Sequence, residues 1–235
     1  MRVTRHSVRL AAIAVFVALL ATPVAAQSVN RAAIDELNTQ LLYVALPLTL
    51  FVELILVYAI YRFRDNDDPK PTADDPALEI TWTTATAVIL VFVGVSGYFV
   101  LTNPFLTPAA AASSGETGES LEIEVDAYQW GWEFTYPEGD FTTKNRLVIP
   151  ENTNVTLVMS SSDVIHSLYV PGLGIKQDIF PGQPQVARTR ATVPGEYDLY
   201  CAELCGSGHS RMGGTVVVMN QTAYDEWVAT QSSPQ

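Results

Sequence analysis

The residues with the most chemical reach in this chain stand close together near its C-terminus, in Cys201-Ala202-Glu203-Leu204-Cys205-Gly206-Ser207-Gly208-His209-Ser210-Arg211-Met212. Both cysteines of the chain are there, with an imidazole four residues after the second and a thioether three beyond it. Thiolate, imidazole and thioether form a soft donor set that suits copper, whereas zinc prefers Cys, His and carboxylate. Two cysteines outside the cytoplasm more commonly form a disulfide. These two lie only four residues apart at a Gly-rich turn, so a bridge would close almost no loop and constrain little. His166, in Ser162-Asp163-Val164-Ile165-His166-Ser167, is a histidine of no special meaning on its own. Taken with the later loop, it completes a donor set. A mononuclear blue-copper site needs two His, one Cys and a weak Met. The second cysteine is one more than that, and because a thiolate can bridge two ions, the surplus points to a dinuclear site with one His on each copper.

Donors 35 residues apart need a scaffold to bring them together, and the residues from 121 onward have the pattern of one. Short β-type runs occur at Leu121–Tyr128, Arg146–Ile149, Val155–Ser160, Ser167–Val170, Ala187–Thr192, Tyr197–Tyr200 and Thr215–Met219. Pro150-Glu151-Asn152, Pro171-Gly172, Pro181-Gly182 and Pro194-Gly195 punctuate them as turns. About seven short strands in a hundred residues predict an antiparallel β-sandwich or barrel. Ala223–Thr230 is expected to add a terminal helix, and Asn154 and Asn220 open N-x-T sequons.

The first hundred residues are different. Arg2, Arg5 and Arg9 precede the short apolar run Leu10–Leu20, then Pro23 and the small residues Val24-Ala25-Ala26. This is the layout of a signal peptide cleaved after Ala26; the alternative, an uncleaved anchor, would need a longer apolar run. Leu41–Ile60 and Ile80–Leu101 are long enough to span a bilayer, with Pro47 and Glu53 tolerable inside a packed pair. The predicted order is an external segment at 27–40, spans at 41–62 and 80–102, a cytoplasmic loop at 63–79, a linker at 103–120, the β domain at 121–220 and a tail at 221–235. Arg62, Arg64 and Lys70 in the loop agree with a cytoplasmic position, which leaves the C-terminal domain outside the plasma membrane.

Charge excludes one class of function. The chain carries 13 basic and 25 acidic side chains, net -12, and loses three of the basic ones with the leader. Nucleic acid is not a partner for such a surface. The acidity suits either a halophilic source or a docking face for a basic protein.

The C-x-E-x-C-G-x-x-H-x-x-M loop, together with the upstream S-x-D-V-x-H-S segment, resembles cytochrome c oxidase subunit II and its dinuclear copper centre, CuA. The resemblance implies a cupredoxin-like β-sandwich behind a two-helix transmembrane hairpin. It makes Cys201 and Cys205 the bridging thiolates, His166 and His209 the imidazole ligands, and Met212 and the Glu203 carbonyl the weak ligands. It also implies that the Glu203 side chain binds magnesium at the interface with subunit I. Nitrous-oxide reductase shares the copper loop but needs a second His-rich domain, and three histidines in total exclude it.

Two further segments carry the same resemblance. In Tyr128-Gln129-Trp130-Gly131-Trp132-Glu133-Phe134 the first Trp, Trp130, corresponds to the residue that receives electrons from the donor; Trp132 reads equally well as core. Gly131 stands where the family often has an aromatic. Glu79, in Glu79-Ile80-Thr81-Trp82, corresponds to a carboxylate at the cytoplasmic mouth of a proton channel, though an acidic residue at a helix N-terminus is also a simple dipole contact. The implied partners are haem-bearing subunit I, subunit III, the lipid bilayer, and a cytochrome c or small blue-copper protein as donor. The implied activity is electron transfer toward oxygen reduction coupled to proton translocation. A membrane-tethered mononuclear blue-copper carrier and a copper-delivery protein are the competing readings.

Overall fold

A computed structural model describes residues 26–107, 120–137 and 139–232. The expected leader, up to residue 25, and most of the expected linker, 108–119, lie outside them.

Two helices lead into the β domain. Helix α1, Val29–Phe63, begins at Ser28, whose hydroxyl accepts from Arg31 N and donates to the Leu173 carbonyl at 2.6 Å. Helix α2, Pro76–Leu101, has Asp75 as its cap, Pro76 in the first turn and Glu79 just behind, the arrangement that satisfies orphan N–H groups and complements the helix dipole. Both helices are apolar and long enough to cross a membrane. The first is longer than the sequence suggested. Its 35 residues extend about 52 Å, against roughly 30 Å of hydrocarbon, so several turns project beyond the bilayer. The segment expected as a lead-in at 27–40 is therefore helical from Val29. Its first turn docks on the β domain: Asn30 is buried and its amide donates to the carbonyls of Phe105 and Arg188.

The domain is a sandwich of two five-stranded sheets. The first contains β1 (Leu121–Tyr128), β2 (Gly131–Tyr136), β3 (Phe141–Lys144), β5 (Val155–Ser161) and β8 (Gln185–Thr189), in the order β3-β2-β1-β5-β8. The second contains β4 (Arg146–Pro150), β6 (His166–Val170), β7 (Ile175–Ile179), β9 (Gly195–Cys201) and β10 (Gly213–Met219), in the order β4-β10-β9-β6-β7. Alternation explains the packing. In β1, Ile123, Val125 and Ala127 point inward while Glu122 and Glu124 face out. Phe134, Leu157, Leu168, Leu199 and Val216 meet them between the sheets.

The pairing is mixed rather than wholly antiparallel: β1 runs parallel to β5, and β4 parallel to β10. Strands β2, β3 and β7 add to the runs read from sequence, and β8 starts two residues earlier than expected. A terminal helix, α3 (Gln221–Gln231), covers one end, with Asn220 as its cap. Across the sandwich, the Tyr136 hydroxyl in β2 accepts from Val148 N at 2.7 Å and donates to Val148 O at 3.0 Å. One side chain thereby satisfies both backbone groups of Val148 on an edge strand.

Candidate metal centre

The donors meet at one pole of the sandwich. His166 opens β6, Cys201 closes β9, and β6 pairs with β9 through Leu168 and Cys201. That pairing carries His166 to the loop between β9 and β10. The loop is fixed at both ends: Cys201 N donates to Met212 O at 3.0 Å and Ala202 N to Ser167 O at 3.0 Å. Within it, a 3-10 turn at His209–Arg211 brings His209 and Met212 back over the sulfurs.

Cys201 Sγ and Cys205 Sγ are 3.7 Å apart, and both are free thiols. A disulfide would require about 2.05 Å. Cys201 Sγ lies 3.8 Å from His166 Nδ1 and 3.3 Å from the Glu203 carbonyl oxygen. Cys205 Sγ lies 3.6 Å from both His209 Nδ1 and Met212 Sδ. Each sulfur thus has one imidazole and one weak donor beside it, and the ligand atoms of His166, Cys201 and Cys205 all fall within 4.8 Å of one another. Two sulfurs at this spacing, each about 2.3 Å from a shared ion, subtend roughly 107° at it, close to tetrahedral. The donor set and its spacing therefore fit thiolate-bridged metal.

The electrostatics favour a protonated Cys205 thiol. Burial, reinforced by the neighbouring Cys201, pushes the Cys205 thiol up to about 11. Asp163 is held the other way. Burial opposes its ionisation, but hydrogen bonds from His166 and from the amides of Val164 and Gln129 outweigh that and keep the carboxyl below its ordinary value. Its Oδ1 lies 2.8 Å from His166 Nε2. Nothing in the bare sequence marked Asp163 as more than part of a motif; an acidic residue three before a candidate His ligand is the only signal that was present.

Trp130 lies against the same loop. It is 41% exposed, and its indole N–H donates to the Cys205 carbonyl at 3.2 Å, which also accepts from Gln129 Nε2 at 2.6 Å. Gly208 sits beneath the indole so closely that a Cβ there would be 2.3 Å from Trp130 Cδ2. Trp132 is fully buried, edge-on to His166 with ring centroids 6.3 Å apart. It is a core residue. Gly131 is buried as well, and a Cβ there would meet the Tyr128 hydroxyl at 2.8 Å and Asn145 Oδ1 at 3.2 Å, so Tyr128 fills the space an aromatic at 131 would need. The Glu203 side chain faces outward beside Leu204, which is 81% exposed. Glu79 is remote from this centre, exposed in the first turn of α2.

Fold and site define a class: a cupredoxin-like β-sandwich with a cluster of soft donor side chains at one pole, tethered by two transmembrane helices. Comparison with known proteins narrows it. Family models described as cytochrome c oxidase subunit II match the chain twice, the periplasmic domain over residues 122–220 and the transmembrane domain over residues 13–100. The probable cytochrome c oxidase subunit 2 of Rickettsia bellii is 32% identical over 215 residues, covering 82% of this chain and 77% of that protein. Cytochrome c oxidase subunit 2 of Cereibacter sphaeroides is 30% identical over 248 residues, covering 88% and 77% respectively. The solved periplasmic domain of subunit II of cytochrome oxidase from Bradyrhizobium japonicum is 27% identical, with a TM-score of 0.47, covering 48% of this chain and 95% of that one.

The chain belongs to the cytochrome c oxidase subunit II family. It is a subunit of a membrane-bound haem-copper oxidoreductase complex, with two transmembrane helices and a periplasmic domain.

Proposed function

We propose that this chain is the electron-accepting subunit of its oxidase, taking electrons from an external donor at a dinuclear CuA centre and passing them to haem in subunit I, where oxygen is reduced to water. The observation that carries this reading is the donor arrangement: two buried sulfurs 3.7 Å apart with an imidazole beside each, and with Met212 Sδ and the Glu203 carbonyl as weak donors. On this reading His166, Cys201, Cys205, His209, Met212 and the Glu203 carbonyl hold two copper ions. When bound, the copper pair supplies a one-electron redox centre whose charge is shared between two ions, so little geometry changes on reduction.

The protein's own contribution is positioning. The β6–β9 pairing fixes His166 against Cys201, and the hydrogen-bonded ends of the loop hold the remaining donors before any metal is present, the preorganisation that a site of defined geometry needs. Trp130 is the electron-receiving residue: it offers an indole face to solvent and one hydrogen bond to the backbone of Cys205. A basic cytochrome c or a small blue-copper protein is the donor that an acidic chain of net charge -12 would attract. The outward-facing Glu203 carboxylate binds magnesium where the domain meets subunit I, and subunit III completes the assembly. Glu79 stands at the cytoplasmic mouth of the proton channel, a position supported by its exposure in the first turn of α2 and by its motif.

Metal content and electron paramagnetic resonance on the full chain test the reading. Two coppers per chain with one unpaired electron shared between them, lost in Cys201→Ser or Cys205→Ser, are expected. One copper with a mononuclear signal that survives loss of one cysteine would refute it and leave a tethered blue-copper carrier.

A further inference from the structure

We propose that Asp163 is a positioning residue that locks the His166 ligand and the Trp130 turn into a single arrangement. The inference rests on the reading of His166 as a metal ligand and goes beyond it by naming what aims that ligand. Three hydrogen bonds converge on this one carboxylate. Oδ1 lies 2.8 Å from His166 Nε2 and accepts from Val164 N at 2.6 Å, while Oδ2 accepts from Gln129 N at 2.7 Å.

The first contact decides a tautomer. An ionised carboxylate can only accept, so His166 Nε2 carries the proton and Nδ1, which faces Cys201 Sγ, is left with its lone pair free for a metal. His166 is fully buried, and the contact to Asp163 is the partner its outer nitrogen has. His209 is different: it is partly exposed, and among the described residues no hydrogen bond is formed by its Nε2. The two imidazoles are therefore not equivalent, and His166 is the more strongly oriented donor.

The other contacts reach the receiving residue. Gln129 precedes Trp130, and both side chains donate to the Cys205 carbonyl. By accepting from the Gln129 backbone, Asp163 holds the far side of the same turn. The carboxylate is itself preset: Ser161 Oγ accepts from Asp163 N at 3.3 Å and donates to the Val164 carbonyl at 2.5 Å, closing a tight turn ahead of β6.

The test compares Asp163→Ala and Asp163→Asn with the unaltered full chain, loaded with copper. The readouts are copper affinity by chelator competition, histidine nitrogen hyperfine couplings, and reduction potential. Ala removes every contact. Asn is isosteric but has a single carbonyl oxygen, so it can serve His166 or Gln129 and not both. Loss of the partner should weaken copper binding about 10- to 100-fold in the alanine variant, with a smaller loss in the asparagine variant. One nitrogen coupling should change while the other stays, and the potential should rise because an imidazole that has lost its carboxylate partner is a poorer electron donor to oxidised copper. If the alanine variant does not fold, the asparagine variant decides alone. Unchanged affinity and couplings in a folded variant, beside unaltered protein that holds two coppers, would overturn this inference. Failure of the unaltered protein to hold two coppers would instead overturn the reading beneath it.

Discussion

Replacing Gly208 with Ala isolates the part that Trp130 plays, because the substitution acts through one contact. Gly208 has φ -95°, a conformation any residue adopts, so the backbone carries no strain from the change. The new Cβ would stand 2.3 Å from Trp130 Cδ2 and 2.6 Å from Cγ. Carbon pairs rest at about 3.5–4.0 Å, so the indole must retreat by roughly 1.2–1.7 Å. That displacement exceeds what its 3.2 Å hydrogen bond to the Cys205 carbonyl can absorb. None of the six proposed donors is replaced, and copper content should stay at two per chain. Electron transfer falls off exponentially with the gap between donor and acceptor, so a retreat of that size should slow electron uptake from a photoreduced donor several-fold. The assay is flash-initiated reduction, followed at the copper absorption in the assembled oxidase at low and high salt. Full-speed uptake with copper retained would refute the assignment of Trp130 and show that electrons arrive by another route. Slow uptake accompanied by lost copper would refute the claim that Gly208 acts only through the indole.

Other outcomes follow from the same geometry. Tyr136→Phe leaves Val148 N and O without a partner inside the sandwich, and should cost about 2–4 kcal/mol in chemical denaturation. Burial holds the Tyr136 phenol well above its ordinary value. The unfolded phenol therefore ionises first, near pH 10, and its contribution is intact below that pH and lost as pH rises above it, by about 1.4 kcal/mol per unit. Denaturation midpoints of the unaltered protein and the Phe variant should converge above pH 10. Copper uptake should also depend on pH: with the Cys205 thiol pushed up to about 11, chiefly by burial, binding must expel its proton. Apparent affinity should then rise about tenfold per pH unit for each proton released, measured by chelator competition between pH 6 and 9.

The candidate donors were legible in the sequence because soft ligand types are recognised by identity and local spacing. Cys201, Cys205, His209 and Met212 fall within one loop, and no fold is needed to see that they are soft ligands in reach of one another. The two apolar helices were legible for a similar reason, since a bilayer demands a continuous apolar length. Several elements were not. Helix α1 begins at Val29 although Arg31, Asp35 and Glu36 make its first turns polar, because those turns are held by Ser28 and Asn30 on the β domain and not by lipid. Strands β3 and β7 are short and carry little alternation, and their pairing with β2 and β6 supplies what their own sequences lack.

What the sequence by itself determined is the inventory of candidate donors, the membrane tether and the β class of the domain, all of which follow from residue type and near-neighbour periodicity. Only the tertiary structure decided that His166 meets Cys201 across 35 residues, that Asp163 binds His166 and the Trp130 turn together, and that Gly208 leaves room for the indole. These are contacts between strands and loops distant in sequence, made by cross-strand hydrogen bonding and close packing, and neither force leaves a periodic trace in the residues it joins.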